Sequence, residues 1–281
     1  MPYITTSDNT KLYFKDWGSG RPVILIHGWP LSADSWDDQA IAIADAGLRA
    51  IAYDRRGFGR SDQPWDGYDY DTLADDLAAV LKETGAEDAA LVGFSMGGGE
   101  VARYMSRHAG KNVSQAVLVS SVVPYMLNTP DNPDGVDQAT FNQMTEGLKQ
   151  DRAHFFAGFF QDFYGVGFVT QPVSGELLEA SRNIAMQASL KATLACAKAF
   201  ATTDFRPDLA SFSAPTLIIH GTNDKTVPID ATGRAAARAI PNAALIEYDG
   251  AAHGLFATHK DRLTNDLLAF LSQSVSRAAM R

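Results

Sequence analysis

The sequence predicts an α/β protein: a mostly parallel central sheet flanked by helices, with a helical cap inserted once. Three observations carry this. Short unbroken apolar runs at residues 22–26, 89–92 and 116–119, and a strand-like stretch at 214–220 centred on Leu217-Ile218-Ile219, alternate with helix-like stretches. Continuous apolar runs are the pattern of strands covered on both faces, and their alternation with helices implies parallel βαβ units. One run leads directly into Gly93-Phe94-Ser95-Met96-Gly97 and then into a helical stretch. Finally, residues 124–207 are turn-rich and then helical, with no clear strand pattern. The predicted division is a core of residues 1–123 and 208–281, with a cap of 124–207.

In chain order, residues 11–17 read as a strand closed by Gly18-Ser19-Gly20. The strand at 22–26 ends in His27-Gly28-Trp29-Pro30. A helix is expected from near Ser35 to Gly47, which suits a C-cap. The strand at 49–53 opens into Asp54-Arg55-Arg56-Gly57-Phe58-Gly59-Arg60-Ser61-Asp62. That loop lacks the third glycine of a dinucleotide fingerprint, and Gln63-Pro64 stands where its helix would begin, so it reads as a tight loop pinned by Asp and Arg side chains. Tyr70, Leu73, Leu77, Val80 and Leu81 repeat at helical spacing up to Gly85. After the Ser95 turn a helix runs to about His108, followed by the strand at 116–119.

The cap segment begins with Asn128-Thr129-Pro130-Asp131-Asn132-Pro133-Asp134-Gly135 and is rich in phenylalanine. Residues 176–200 read as the longest helix of the chain. The α/β rhythm then resumes with a strand at 214–220, a loop at 221–228 and a helix at 229–240. A strand at 244–248, the loop Gly250-Ala251-Ala252-His253-Gly254 and an amphipathic helix bearing Leu263, Leu267 and Leu271 complete it.

Composition narrows the functional classes. The chain has 281 residues, 46% of them hydrophobic, and a formal net charge of −9. Such a charge disfavours nucleic acid or an anionic membrane as partner. No apolar run approaches the ~20 residues of a membrane span, and residues 1–8 lack a secretory pattern. The single cysteine, Cys196, excludes an intrachain disulfide and suits a reducing, cytoplasmic setting. It reads as a small buried residue rather than a reactive thiol. No metal-ligand spacing is visible.

The chemistry gathers on Ser95. A strand, a tight Gly-x-Ser-x-Gly turn and a helix form the context of a nucleophile elbow, with the helix N-terminus beneath the hydroxyl. Serine needs a base and a group to orient that base. His253 fits as the base, because it lies in a Gly-rich loop after a strand and follows the best acid in the order Ser, Asp, His. His220 precedes that acid, and His108, His154 and His259 sit in or beside helices. Asp224, at the end of a buried strand run, is favoured over Asp249 as the acid. The Met96 N–H, and the Trp29 N–H in a loop where Pro30 has none, are the expected oxyanion donors. His27 reads as a strut of that loop.

These residues resemble the α/β-hydrolase superfamily, and more narrowly its cofactor-free haloperoxidases and bacterial aryl esterases with perhydrolase activity. The resemblance spans essentially the whole chain. It rests on His27-Gly28-Trp29-Pro30, Asp54 to Ser61, Gly93 to Gly99, Asp204-Phe205-Arg206-Pro207-Asp208, and the loops of Asp224 and His253. It implies the α/β-hydrolase fold and hydrolysis of small-acyl esters through an acyl-enzyme on Ser95. It also implies acyl transfer to hydrogen peroxide, giving a peracid that halogenates without a metal or other cofactor. Pro30 matches members that favour perhydrolysis. Phe159, Phe163, Phe200 and Val227 match the positions lining the family's acyl pocket, beside the Trp29 ring that its loop position already makes pocket wall. Assembly into homo-oligomers is a further implication. The long polar stretch at 125–135 departs from the usual pattern. Another α/β-hydrolase, such as a lactonase or an amidase or lactamase, is the alternative, with a non-catalytic binding protein beyond it. Relatives with dehalogenase or epoxide hydrolase activity place Asp where this chain has Ser95.

Overall fold

Eight strands form one sheet in the order β1-β2-β4-β3-β5-β6-β7-β8. The computed structural model describes residues 2–241 and 243–273, so residues 1, 242 and 274–281 of the predicted core lie outside the described residues. The strands are β1 (Tyr3–Thr5), β2 (Lys11–Gly18), β3 (Pro22–Ile26), β4 (Arg49–Tyr53), β5 (Ala89–Phe94), β6 (Val113–Val119), β7 (Thr216–Gly221) and β8 (Ala244–Tyr248). β1 and β2 are antiparallel to their neighbours, and every other pairing is parallel. β3, β5, β6 and β7 are buried at every position, as strands covered on both faces are, including the polar Ser114, Gln115, Thr216 and His220. β1, three residues long, carries too little alternation to be read from sequence.

The helices of the sheet are α1 (Asp37–Asp45), α2 (Tyr70–Glu83), α3 (Met96–Arg107), α7 (Gly233–Ala239), α8 (Leu255–Thr258) and α9 (Lys260–Leu271). α2 starts at Asp69, whose carboxylate accepts the Thr72 N–H at 3.0 Å. α1 is preceded by a short 3-10 helix, Ala33–Trp36, capped by Ser32. α7 begins four residues later than expected because residues 229–232 turn before it, with Thr232 outside helical geometry.

Between β6 and β7 the chain forms α4 (Gln138–Tyr164), α5 (Gly175–Gln187) and α6 (Leu190–Thr202). The single long helix expected at 176–200 is therefore two helices. Ser189 divides them: its hydroxyl caps α6 through the Ala192 N–H, and its own N–H donates to Gly57 O at 2.9 Å. The longest helix is α4, 27 residues with a break at Asp151, whose carboxylate accepts the His154 N–H and restarts it. Among the described residues no helix is long and apolar enough to cross a membrane.

Candidate active site

The carboxyl ends of β3, β5, β7 and β8 point to one edge of the sheet, where open α/β folds collect functional groups. Ser95 follows β5 directly and adopts φ 55° and ψ −119°, a strained geometry for a residue with a side chain. The strain is held on both sides. The Ser95 N–H donates to Val119 O at 2.9 Å, and the Ser95 carbonyl accepts the Gly98 N–H at 3.0 Å. Close approach of strand and helix requires glycine at two positions. A Cβ on Gly93 would lie 2.5 Å from Gly97 O, and one on Gly97 would lie 2.6 Å from Ile26 O. Because backbone cannot yield as a side chain can, Gly97→Ala is expected to push α3 away from β3. Activity should fall at least roughly tenfold and stability by about 1–3 kcal/mol, checked by steady-state kinetics and thermal melting.

Ser95 is 5% exposed, and its hydroxyl lies 2.9 Å from His253 Nε2. His253 Nδ1 lies 2.6 Å from Asp224 Oδ2. The structure thus brings together the three residues the sequence singled out. The geometry sets the proton positions: Asp224 can only accept, so Nδ1 carries the hydrogen and Nε2 is free to accept from serine. Phe94 and Phe163 flank the imidazole, with ring centroids 4.9 and 4.8 Å away. The other oxygen of Asp224, Oδ1, accepts the N–H groups of Thr226 and Val227 at 2.9 and 2.8 Å. Burial pushes the Asp224 carboxyl upward, but the facing His253 and His220 outweigh it, and the net shift is well below the usual carboxylate range. Asp249 lies instead beside Thr222, at 3.4 Å.

The two expected oxyanion donors are Met96 at the start of α3 and Trp29 in the loop after β3. Met96 opens α3, so its N–H is among the first-turn groups that have no acceptor within the helix. Trp29 lies in the loop after β3, and no acceptor for its N–H is found among the described residues. The Trp29–Pro30 bond is cis. The Trp29 indole donates to Thr193 O at 3.1 Å and is ringed by Phe155, Phe156, Phe159 and Phe200.

A buried polar network ties this loop to α3. His27 Nδ1 donates to Gly28 O at 2.9 Å, while its Nε2 accepts the Arg55 N–H at 3.0 Å. Burial, aided by the Arg55 charge, pulls the His27 pKa well below the ordinary histidine value, so the ring is a neutral strut. The Arg55 guanidinium donates to His27 O at 2.6 Å and pairs with Glu100 of α3. Tyr53 donates its hydroxyl to the other oxygen of Glu100 at 2.5 Å. Asp54 accepts the Ala33 and Arg60 N–H groups, each at 2.8 Å, which gives the pinned loop expected there. Glu100 carried one sequence signal: a lone carboxylate on a helix beginning Met-Gly-Gly-Gly, five residues past Ser95. Cys196 is fully buried, and burial raises its thiol to about 12, so it stays protonated and inert.

A cavity of about 520 Å³ opens over Ser95, walled by Trp29, Phe141, Phe155, Phe159, Phe200 and Val227. Phe163 is not part of that wall. One turn beyond Phe159, α4 has passed the cavity, and Phe163 lands on His253 and Phe94, fully buried. Phe141 and Phe155 replace it; their aromatic character in the cap was visible in the sequence, but not the direction they face. The polar segment at 125–135 is held by Asn132, whose amide donates to the carbonyls of Tyr125 and Leu127, and by the Asp131–Arg206 ion pair at 2.8 Å. It brings Val136 to the cavity wall.

The geometry agrees with what known proteins show. The sequence model of the α/β-hydrolase fold matches residues 21–260. A non-heme chloroperoxidase of Kitasatospora aureofaciens is 44% identical, over 97% of this chain and all of its own. A bifunctional esterase/perhydrolase of Acinetobacter calcoaceticus is 42% identical, over 96% of this chain and 99% of its own. Among solved structures, a bromoperoxidase from Bacillus anthracis superposes with a TM-score of 0.94 at 44% identity, covering 97% of this chain and 99% of that one. The chain belongs to the α/β-hydrolase fold family, as a serine hydrolase of the group that holds the non-heme haloperoxidases.

Proposed function

We propose that this protein is a serine carboxylesterase for small alkyl and aryl esters that also transfers its acyl group to hydrogen peroxide. The observation that carries the reading is the unbroken relay Ser95 Oγ, His253 Nε2, His253 Nδ1, Asp224 Oδ2, closed by contacts of 2.9 and 2.6 Å beneath an apolar cavity. His253 takes the Ser95 proton as Oγ bonds to the ester carbonyl carbon. The oxygen that gains charge is met by the Trp29 and Met96 N–H groups. The tetrahedral species collapses, the C–O bond to the alcohol breaks, and His253 returns the proton to the leaving oxygen. Water or hydrogen peroxide then loses a proton to the same nitrogen and attacks the acyl carbon. Ser95 is released with its proton restored, and the product is a carboxylic acid or a peracid. Run from acid and peroxide, the same steps give peracid and water, and the peracid oxidises halide in solution. The oxidising equivalent comes from peroxide, so these steps require no cofactor.

Perhydrolysis has a direct test. With acetate, bromide and hydrogen peroxide, the wild-type protein should brominate a dye, and Ser95→Ala should not. Bromination that survives in Ser95→Ala, or none from a wild type that hydrolyses aryl esters, would contradict the peroxide half of the reading.

A further inference from the structure

The sequence sets His220 aside because it precedes the acid, yet the fold places it against that acid. His220 lies at the end of β7, fully buried. Its Nε2 lies 2.9 Å from Val227 O and 3.3 Å from Asp224 Oδ2. Both partners are acceptors, so Nε2 carries the hydrogen. Nδ1 is buried and, among the described residues, has no hydrogen-bond partner. Gly233 backs that edge of the ring so closely that a Cβ there would lie 2.7 Å from Nδ1. A proton on Nδ1 would find no acceptor, which leaves the Nε2–H tautomer.

We propose that His220 is a positioning residue that aims Asp224 at His253 and fixes the cavity wall at Val227 in the same turn. The inference rests on the catalytic reading of Asp224 and His253. The carboxylate has three hydrogen-bond donors, the Thr226 and Val227 N–H groups on Oδ1 and His253 on Oδ2. His220 Nε2 faces the same Oδ2 at 3.3 Å while its hydrogen is given to Val227 O. The two backbone donors come from the acid's own turn and can move with it. His220 reaches it from β7, so it references the carboxylate to the sheet. Its N–H holds Val227 O, and the Val227 side chain lines the cavity. One buried N–H therefore aligns the acid and the wall facing Ser95.

The test compares His220→Leu with His220→Gln, since the amide nitrogen of Gln reaches about as far as the histidine Nε2 and Leu has no donor. With p-nitrophenyl acetate, Leu should lower kcat roughly 10- to 100-fold through the misaimed acid and raise KM roughly two- to fivefold through the displaced Val227 wall. Gln should recover most of the loss, at similar melting temperatures. Wild-type kcat in the Leu variant, or an equal loss in a folded Gln variant, would overturn the proposal. Should neither variant fold, the nitrogen chemical shifts of His220 in the wild type decide: the Nε2–H tautomer supports the proposal, and the Nδ1–H tautomer overturns it. Asp224→Asn with undiminished kcat would remove the catalytic reading itself, and this inference with it.

Discussion

Replacing Ser95 with Ala should lower kcat for a chromogenic aryl ester by about 10⁴- to 10⁶-fold while leaving the fold intact. In the proposed mechanism the hydroxyl is the atom that bonds to the acyl carbon, so nothing nearby can substitute for it. Cys196 is buried with its thiol held protonated, and His253 without Ser95 can only activate water. The strained φ of Ser95 predicts a second effect. Alanine keeps the φ of 55° but loses only a hydroxyl that caps no helix N–H, so stability should change by less than about 1 kcal/mol. Kinetics beside thermal melting of the same preparation checks both. A variant within tenfold of wild type would mean that the chemistry runs through another group.

Glu100→Leu should be the most damaging substitution away from the reacting atoms. Glu100 is fully buried and neutralises the equally buried Arg55, which in turn holds the carbonyl of His27. Removing one partner strands a charge in the interior, at about 3–5 kcal/mol, a melting temperature lower by roughly 10 °C. Because Arg55 and Glu100 link α3, which bears Met96, to the loop that bears Trp29, the two proposed oxyanion donors should lose their spacing together. kcat should therefore fall in the fraction that stays folded. Double replacement with Arg55→Met should be less destabilising than the sum of the single changes, since no charge is left unpaired. Melting within about 2 °C of wild type for Glu100→Leu would show that the pair is not the tie it looks to be.

The two substitutions also mark what sequence could and could not carry. Ser95 was legible because the elbow is local: apolar run, glycines, serine and helix stand within a dozen residues, and each has its own steric reason. Asp224 and His253 were legible because strand ends in a parallel sheet converge in space in a fixed chain order. The Arg55–Glu100 pair had no such signal. Its members are 45 residues apart and meet only because β4, which leads to Arg55, lies two strands from β5, which leads into α3. His220 is rightly excluded as the base, but its place beside the acid is hidden for a similar reason. Chain order excluded it as the base, and nothing local revealed that its ring turns towards Asp224. In the cap, composition announced aromatic helices, but the Ser189 cap split one expected helix. The advance of α4 carried Phe163 past the cavity onto His253. Faces and breaks of that kind depend on partners distant in sequence.

Labelling with phenylmethylsulfonyl fluoride, read by intact mass and peptide mapping alongside residual esterase activity, tests the nucleophile most directly. One sulfonyl group should appear per chain, on the peptide containing Ser95, and activity should disappear in proportion to its formation. Ser95→Ala should take up none. Full activity in the labelled protein, or inactivation with the label on another residue, would contradict the acyl-enzyme mechanism at Ser95.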